Sequence, residues 1–169
     1  MAKVTALKPE TKEVKPKIGL DESYLEKASE GLSDVLASTY KLMIKTQVYH
    51  WNVVGPLFGP IHELTEDQYN ALFEAADVIA ERVRALGHIA PVNFGDMKNF
   101  APTGHSVDNS SAHDMVADLI KDHEAASRQI RELGEKAGDA GDLVTEDMLT
   151  ERLTFHEKAL WMLKSIISD

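Results

Sequence analysis

Apolar positions recur with helical period along most of the chain, and they fall into four blocks. In the first, Leu25, Ala28, Leu32, Leu36 and Met43 follow a cap at Asp21 or Ser23, predicting a helix that ends before Gly55-Pro56. Gly59-Pro60 marks the start of a second helix, Pro being suited to the first helical position, and this helix runs to about Gly87. A third is predicted from Asn109–Ser111 to a stop by Gly138. A fourth starts at Thr145, with Glu146 and Asp147 in its first turn, and continues almost to Asp169. No stretch reads as a strand.

The short links between helices one and two, and between three and four, make those pairs antiparallel. The link over residues 88–109 is too long for a simple turn, and a connection running the length of the bundle accounts for it. A small helix is expected over Phe94–Phe100 on the way. The expected fold is therefore all-α, a ferritin-like four-helix bundle with one long crossover between helices two and three. Residues 1–19, with Pro9, Pro16 and several Lys but no apolar face, read as a flexible tail, leaving 20–169 for the bundle.

Helix two carries two distinct faces. Leu64, Leu72, Ala75, Ile79, Val83 and Leu86 fall within an arc of about 100°, the width of a core stripe. His62, Glu66, Asp77 and Glu81 fill a second arc centred about 150° from the first, so these ligand-type side chains point away from their own core. His62 and Glu66 are one turn apart, as are Asp77 and Glu81, and each pair can chelate an ion. Glu66 and Asp77, however, are about 16 Å apart along the axis, too far for one ion in a single chain. Both pairings, 62 with 81 and 66 with 77, centre on the same point near Leu72 and Phe73. An antiparallel two-fold crossing there brings each pair against the complementary pair of a second copy and creates two equivalent sites. Phe73 lies in the outward arc, where an apolar side chain makes sense under a partner. His50, near the end of helix one, folds back toward His62 and completes a His/His/Glu plus Asp/Glu set. Taken alone, a helical Asp-x-x-x-Glu pair is an ordinary solvated feature; spacing, arc and midpoint together are rarer.

Composition narrows the chemistry. The chain has no Cys, which excludes disulfides, zinc-thiolate sites and Fe–S clusters and leaves nitrogen and oxygen ligands for Fe, Mn or Zn. A net charge of −10 argues against the body of the protein gripping nucleic acid. Lys3, Lys8, Lys12, Lys15 and Lys17 against Glu10 and Glu13 give the first seventeen residues +3 and leave −13 for the remainder. Tails of this charge on an oligomer can bind DNA multivalently, or serve only for solubility. With no apolar run of membrane length and no secretory core, a cytoplasmic protein is expected.

The stretch from Tyr49 to Leu86, with His50-Trp51-Asn52, then His62-Glu63, then Asp77 and Ala80-Glu81-Arg82, resembles the signature of the Dps family, the miniferritins that protect bacterial DNA during starvation and oxidative stress. That resemblance implies a hollow homododecamer storing ferric mineral, with ferroxidase sites at two-fold interfaces that oxidise Fe(II) with hydrogen peroxide or dioxygen. It implies His50, His62 and Glu66 as iron ligands from one subunit and Asp77 and Glu81 from its neighbour, with Trp51 beside them. One position departs: the family usually carries Asp where this chain has Glu66. None of the seven His has Glu or Asp three residues before it, unlike ferritins that hold iron inside one bundle. Asp118 and Asp122 are candidates for the acidic iron-entry pore that the family uses, or form a solvated face. His88, His105, His113, His123 and His156 are read as surface or core residues.

Overall fold

The computed structural model describes residues 12–91 and 110–168 of the chain, and among them there are four helices and no strand. These are α1 (Glu22–Asn52), α2 (Phe58–Ala85), α3 (Ala112–Asp139) and α4 (Leu143–Ile166). The helix expected over Phe94–Phe100 lies outside the described residues, as do Lys3, Lys8 and His105. Side-chain contacts set the directions. His50 meets His62, so α1 and α2 are antiparallel, and Tyr49 meets Asp118 while Gly31 abuts Leu133, so α1 and α3 are antiparallel as well. It follows that α2 and α3 run parallel, so the end of α2 and the start of α3 lie at opposite ends of the bundle, the arrangement of a single crossover.

The starts and stops have local causes. Ser111 caps α3 in a reciprocal box with Asp114. Pro60 stands two residues inside α2 rather than at its start; its missing N–H is still one of the first-turn donors that a helix leaves unbonded. The expected stop at Gly138 is displaced: α3 continues to Asp139, and Gly141 takes the left-handed conformation (φ +74°) that turns the chain. Gly138 stays within the helix, where a Cβ would stand 2.9 Å from the Glu146 carboxylate. The fourth helix begins at Leu143, two residues before the expected start, because Asp142 caps it by accepting from the Thr145 N–H at 3.1 Å. That carboxylate also accepts from Arg82 Nη2 at 2.6 Å and the Tyr24 hydroxyl at 2.9 Å, pinning α1 and α2 to this turn.

The predicted core stripe of α2 is inside: Leu72, Ile79, Val83 and Leu86 are at most 1% exposed. The segment that was expected to begin as tail is described from Lys12, and there it lies on the end of the bundle. Val14 donates to the Gly87 carbonyl at 2.9 Å, Arg84 donates to the Lys12 carbonyl at 3.3 Å, and Lys15 pairs with Glu22. Gly87, with φ +98°, is required: a Cβ would stand 2.3 Å from the Val14 oxygen.

Candidate metal centre

The end of α1 and the start of α2 are joined by the turn at Gly55, whose φ of +97° lets α2 fold straight back. This brings His50 and His62 together. Their rings stack with centroids 3.7 Å apart and planes inclined by 16°. Nδ1 of His50 lies 2.9 Å from the His62 carbonyl, and Nδ1 of His62 lies 3.0 Å from the His50 carbonyl. A carbonyl only accepts, so each Nδ1 carries the proton and donates. In a neutral ring this leaves the lone pair on Nε2, the atom that could hold a metal, and the same bond orients the ring.

Two aromatic rings frame the pair, and the sequence pattern alone had not assigned them. Phe58 stacks on His62 at 4.9 Å, and Tyr69 meets His50 edge-on at 5.3 Å. Phe58 is four residues before His62 and Tyr69 three after Glu66, so helical spacing was the available signal. The Tyr69 phenol is pushed up from its ordinary range by partial desolvation and then by the charge and hydrogen bond of Glu66. Glu66 is thus the charged neighbour of a ring that meets His50.

The other predicted ligands stand where helical geometry put them. Glu66, Asp77 and Glu81 are exposed on α2, as is Phe73 at 65%, while Leu72 beside it is buried. Within one chain Asp77 and Glu81 do not join the histidines, and among the described residues no three His, Asp or Glu side chains converge on one point. Around this face Trp51, Val54, Phe58 and Val78 are also exposed.

Asp118 and Asp122 are neither a free acidic lining nor a solvated face in this chain. Both carboxylates bind Lys45 Nζ, at 2.8 and 2.5 Å, and the Tyr49 hydroxyl donates to Asp118 at 2.7 Å. Burial would push the Lys45 ammonium down, but its bonds to the two aspartates outweigh that and hold it above its ordinary value. Asp118 is held below its own, burial being outweighed by Lys45 and Tyr49. His123 and His156 are buried in the core.

Comparison with known proteins identifies the fold. The model of the ferritin-like domain matches residues 29–169. A DNA protection during starvation protein of Agrobacterium fabrum is 31% identical over 82% of this chain and 86% of its own length. This chain belongs to the Dps family. An uncharacterised low-temperature-induced protein of Nostoc sp. shares 41% identity over 89% of this chain and 85% of the relative. Among solved structures, a Vibrio cholerae Dps protein, described as a member of a broad superfamily of ferritin-like diiron-carboxylate proteins, superposes with a TM-score of 0.80 at 25% identity, covering 94% of this chain and all of that one. The all-α bundle with its crossover is thus the Dps fold. No described helix is long and apolar enough to cross a membrane.

Proposed function

We propose that this protein oxidises Fe(II) at sites shared between two copies of the chain and stores the product as ferric mineral inside a homododecameric cage, protecting DNA from oxidative damage. The observation that carries this reading is the reciprocal lock of His50 and His62, which leaves the Nε2 lone pair of each ring unused by the lock, with His62 one helical turn before the exposed Glu66. Asp77 and Glu81 of the partner subunit complete the set when two α2 helices cross antiparallel over Phe73. Membership of the Dps family supports iron as the metal.

In this arrangement the imidazoles hold Fe(II), and the carboxylates favour the Fe(III) product, whose hard charge suits oxygen ligands. With hydrogen peroxide as oxidant, two Fe(II) each lose one electron, the O–O bond breaks, and two protons are taken up to give two waters. Both electrons leave together, so no hydroxyl radical is released. Dioxygen is the other oxidant such a site can use.

The test is peroxide-driven Fe(II) oxidation with particle mass measured on the same sample. Glu81→Ala is expected to slow oxidation at least tenfold with the particle unchanged, since losing one ligand or its support costs roughly 10–100-fold. Phe73→Glu is expected to give smaller particles. A Glu81→Ala protein that oxidises Fe(II) as fast as the parent sinks the assignment.

DNA compaction by the tails is the second reading, favoured by the basic first seventeen residues, of which Lys12 and Lys17 are exposed while Lys15 is engaged by Glu22. A low-salt gel shift comparing the full chain with one lacking residues 1–17 decides it, and equal shifts remove it.

A further inference from the structure

Inside the bundle the apolar core is divided. One cluster gathers Leu32, Leu36, Ile79 and Leu149, and another gathers Leu42, Leu64, Leu119 and Leu163. Two fully buried polar groups fall between them along the chain, His123 on α3 and His156 on α4, exposed by only 0% and 2%, while Gln68 on α2, exposed by 3%, lies within the second cluster. The contact of His50 with His62 fixes the register of α1 on α2, and that of Lys45 with Asp118 and Asp122 fixes α1 on α3. In those registers Gln68 and His123 stand opposite positions about two residues apart on α1, a difference of about 3 Å along the axis. His156 joins them directly, its Nδ1 lying 3.0 Å from Nδ1 of His123.

Two ring nitrogens at that distance share a hydrogen bond only if one carries a proton and the other a lone pair. The contact therefore survives with both rings neutral, and two imidazolium rings would set N–H against N–H. The surroundings oppose even the first added proton. Phe155 lies against both rings, at 6.0 and 5.1 Å, the buried polar side chain at a similar level on α2 is the uncharged Gln68, and Arg152 on α4 brings a charge of the wrong sign. Lys45 on α1 is committed to Asp118 and Asp122, and Glu124 on α3 to Lys164. Burial and then His156 lower the pKa of His123 to about 3, and burial and then Arg152 lower that of His156 to about 4, from 6.5. Nε2 of His123 and both polar atoms of Gln68 have no protein partner, so opening the bundle here gives buried polar atoms access to water.

We propose that the His123–His156 pair is an acid latch, which locks α3 against α4 while neutral and, on gaining protons, splits and opens the bundle at the meeting of its two apolar clusters. The direction is fixed by linkage. Both rings titrate lower in the folded chain than in the unfolded one, so below about pH 6.5 the unfolded chain binds more protons and stability falls from there, the loss levelling off only once the pH is below about 4 and about 3.

The test follows tryptophan fluorescence and particle mass of the full-length protein from pH 7 to pH 3. A His123→Phe/His156→Leu variant is expected to open at a midpoint lower by about one pH unit or more, because it no longer takes up those protons. An unchanged or higher midpoint overturns the latch. Should that variant not fold, deuterium exchange at imidazole C2–H in the unaltered protein decides: His123 and His156 are expected to exchange only as the acid transition proceeds. Titration of both alongside exposed His113 in the folded protein overturns the proposal.

Discussion

His50 and His62 each hold the other's backbone carbonyl, at 2.9 and 3.0 Å, so the two rings are oriented as one unit rather than separately. Removing either ring unpins the other. His50→Ala and His62→Ala are each expected to lower the Fe(II) oxidation rate at least tenfold, and the double variant only slightly more, because the first loss already disorders its partner. Stopped-flow rates from the four proteins of this cycle measure the coupling. Losses that multiply would mean that the rings act independently.

Tyr69 supports the same site from the other side. Its phenol is pushed up by burial and by the neighbouring Glu66 charge, and its ring abuts the His50 ring, so Tyr69→Phe keeps the packing and removes only the hydroxyl beside the carboxylate. Fe(II) affinity, read by calorimetry under anaerobic conditions, is expected to fall about tenfold with the unfolding midpoint unchanged. Unaltered affinity would make Tyr69 packing alone.

The Lys45 cluster predicts a pH-dependent stability. Asp118 titrates below its ordinary value in the folded chain, so its contribution is present at neutral pH and is lost as the pH falls through that lowered value. Lys45→Met leaves Asp118 and Asp122 facing each other without a cation. The loss is expected to be about 1–3 kcal/mol at pH 7, discounted from a fully buried pair because both carboxylates keep over a quarter of their exposure. Urea unfolding at pH 7 and pH 3 should show the penalty shrinking as Asp118 protonates; an equal penalty at both would mean that lost packing, not charge, is responsible.

What was legible in the sequence followed from periodicity. The α2 stripe of Leu72, Ile79 and Val83 and the opposite face of Glu66, Phe73, Asp77 and Glu81 are both where a repeat of 3.6 puts them. Lys45, Gln68, His123 and His156 were not legible as a group, because buried polar residues break the apolar pattern and find their partners only across helices. The same limit hid Phe58 and Tyr69, whose importance lies in rings on either side of a turn. Gly138 misled because it keeps helical backbone with Glu146 close by, whereas Gly141 does the turning.

Sharing of one site by two chains makes a prediction that a single-chain site cannot meet. His62→Ala retains Asp77 and Glu81, and Glu81→Ala retains His50, His62 and Glu66. Each pure particle should be nearly inactive. In a particle assembled from both, a mixed two-fold pair places the intact histidine set of one chain against the intact carboxylates of the other, restoring one of its two sites. Random assembly makes half of the pairs mixed, so about a quarter of all sites should be whole, and the oxidation rate should recover to about that fraction. Unfolding and reassembling the two variants together, and comparing with each reassembled alone, measures it. No recovery, in particles whose mass shows that mixing occurred, would mean that the five ligands do not come from two chains.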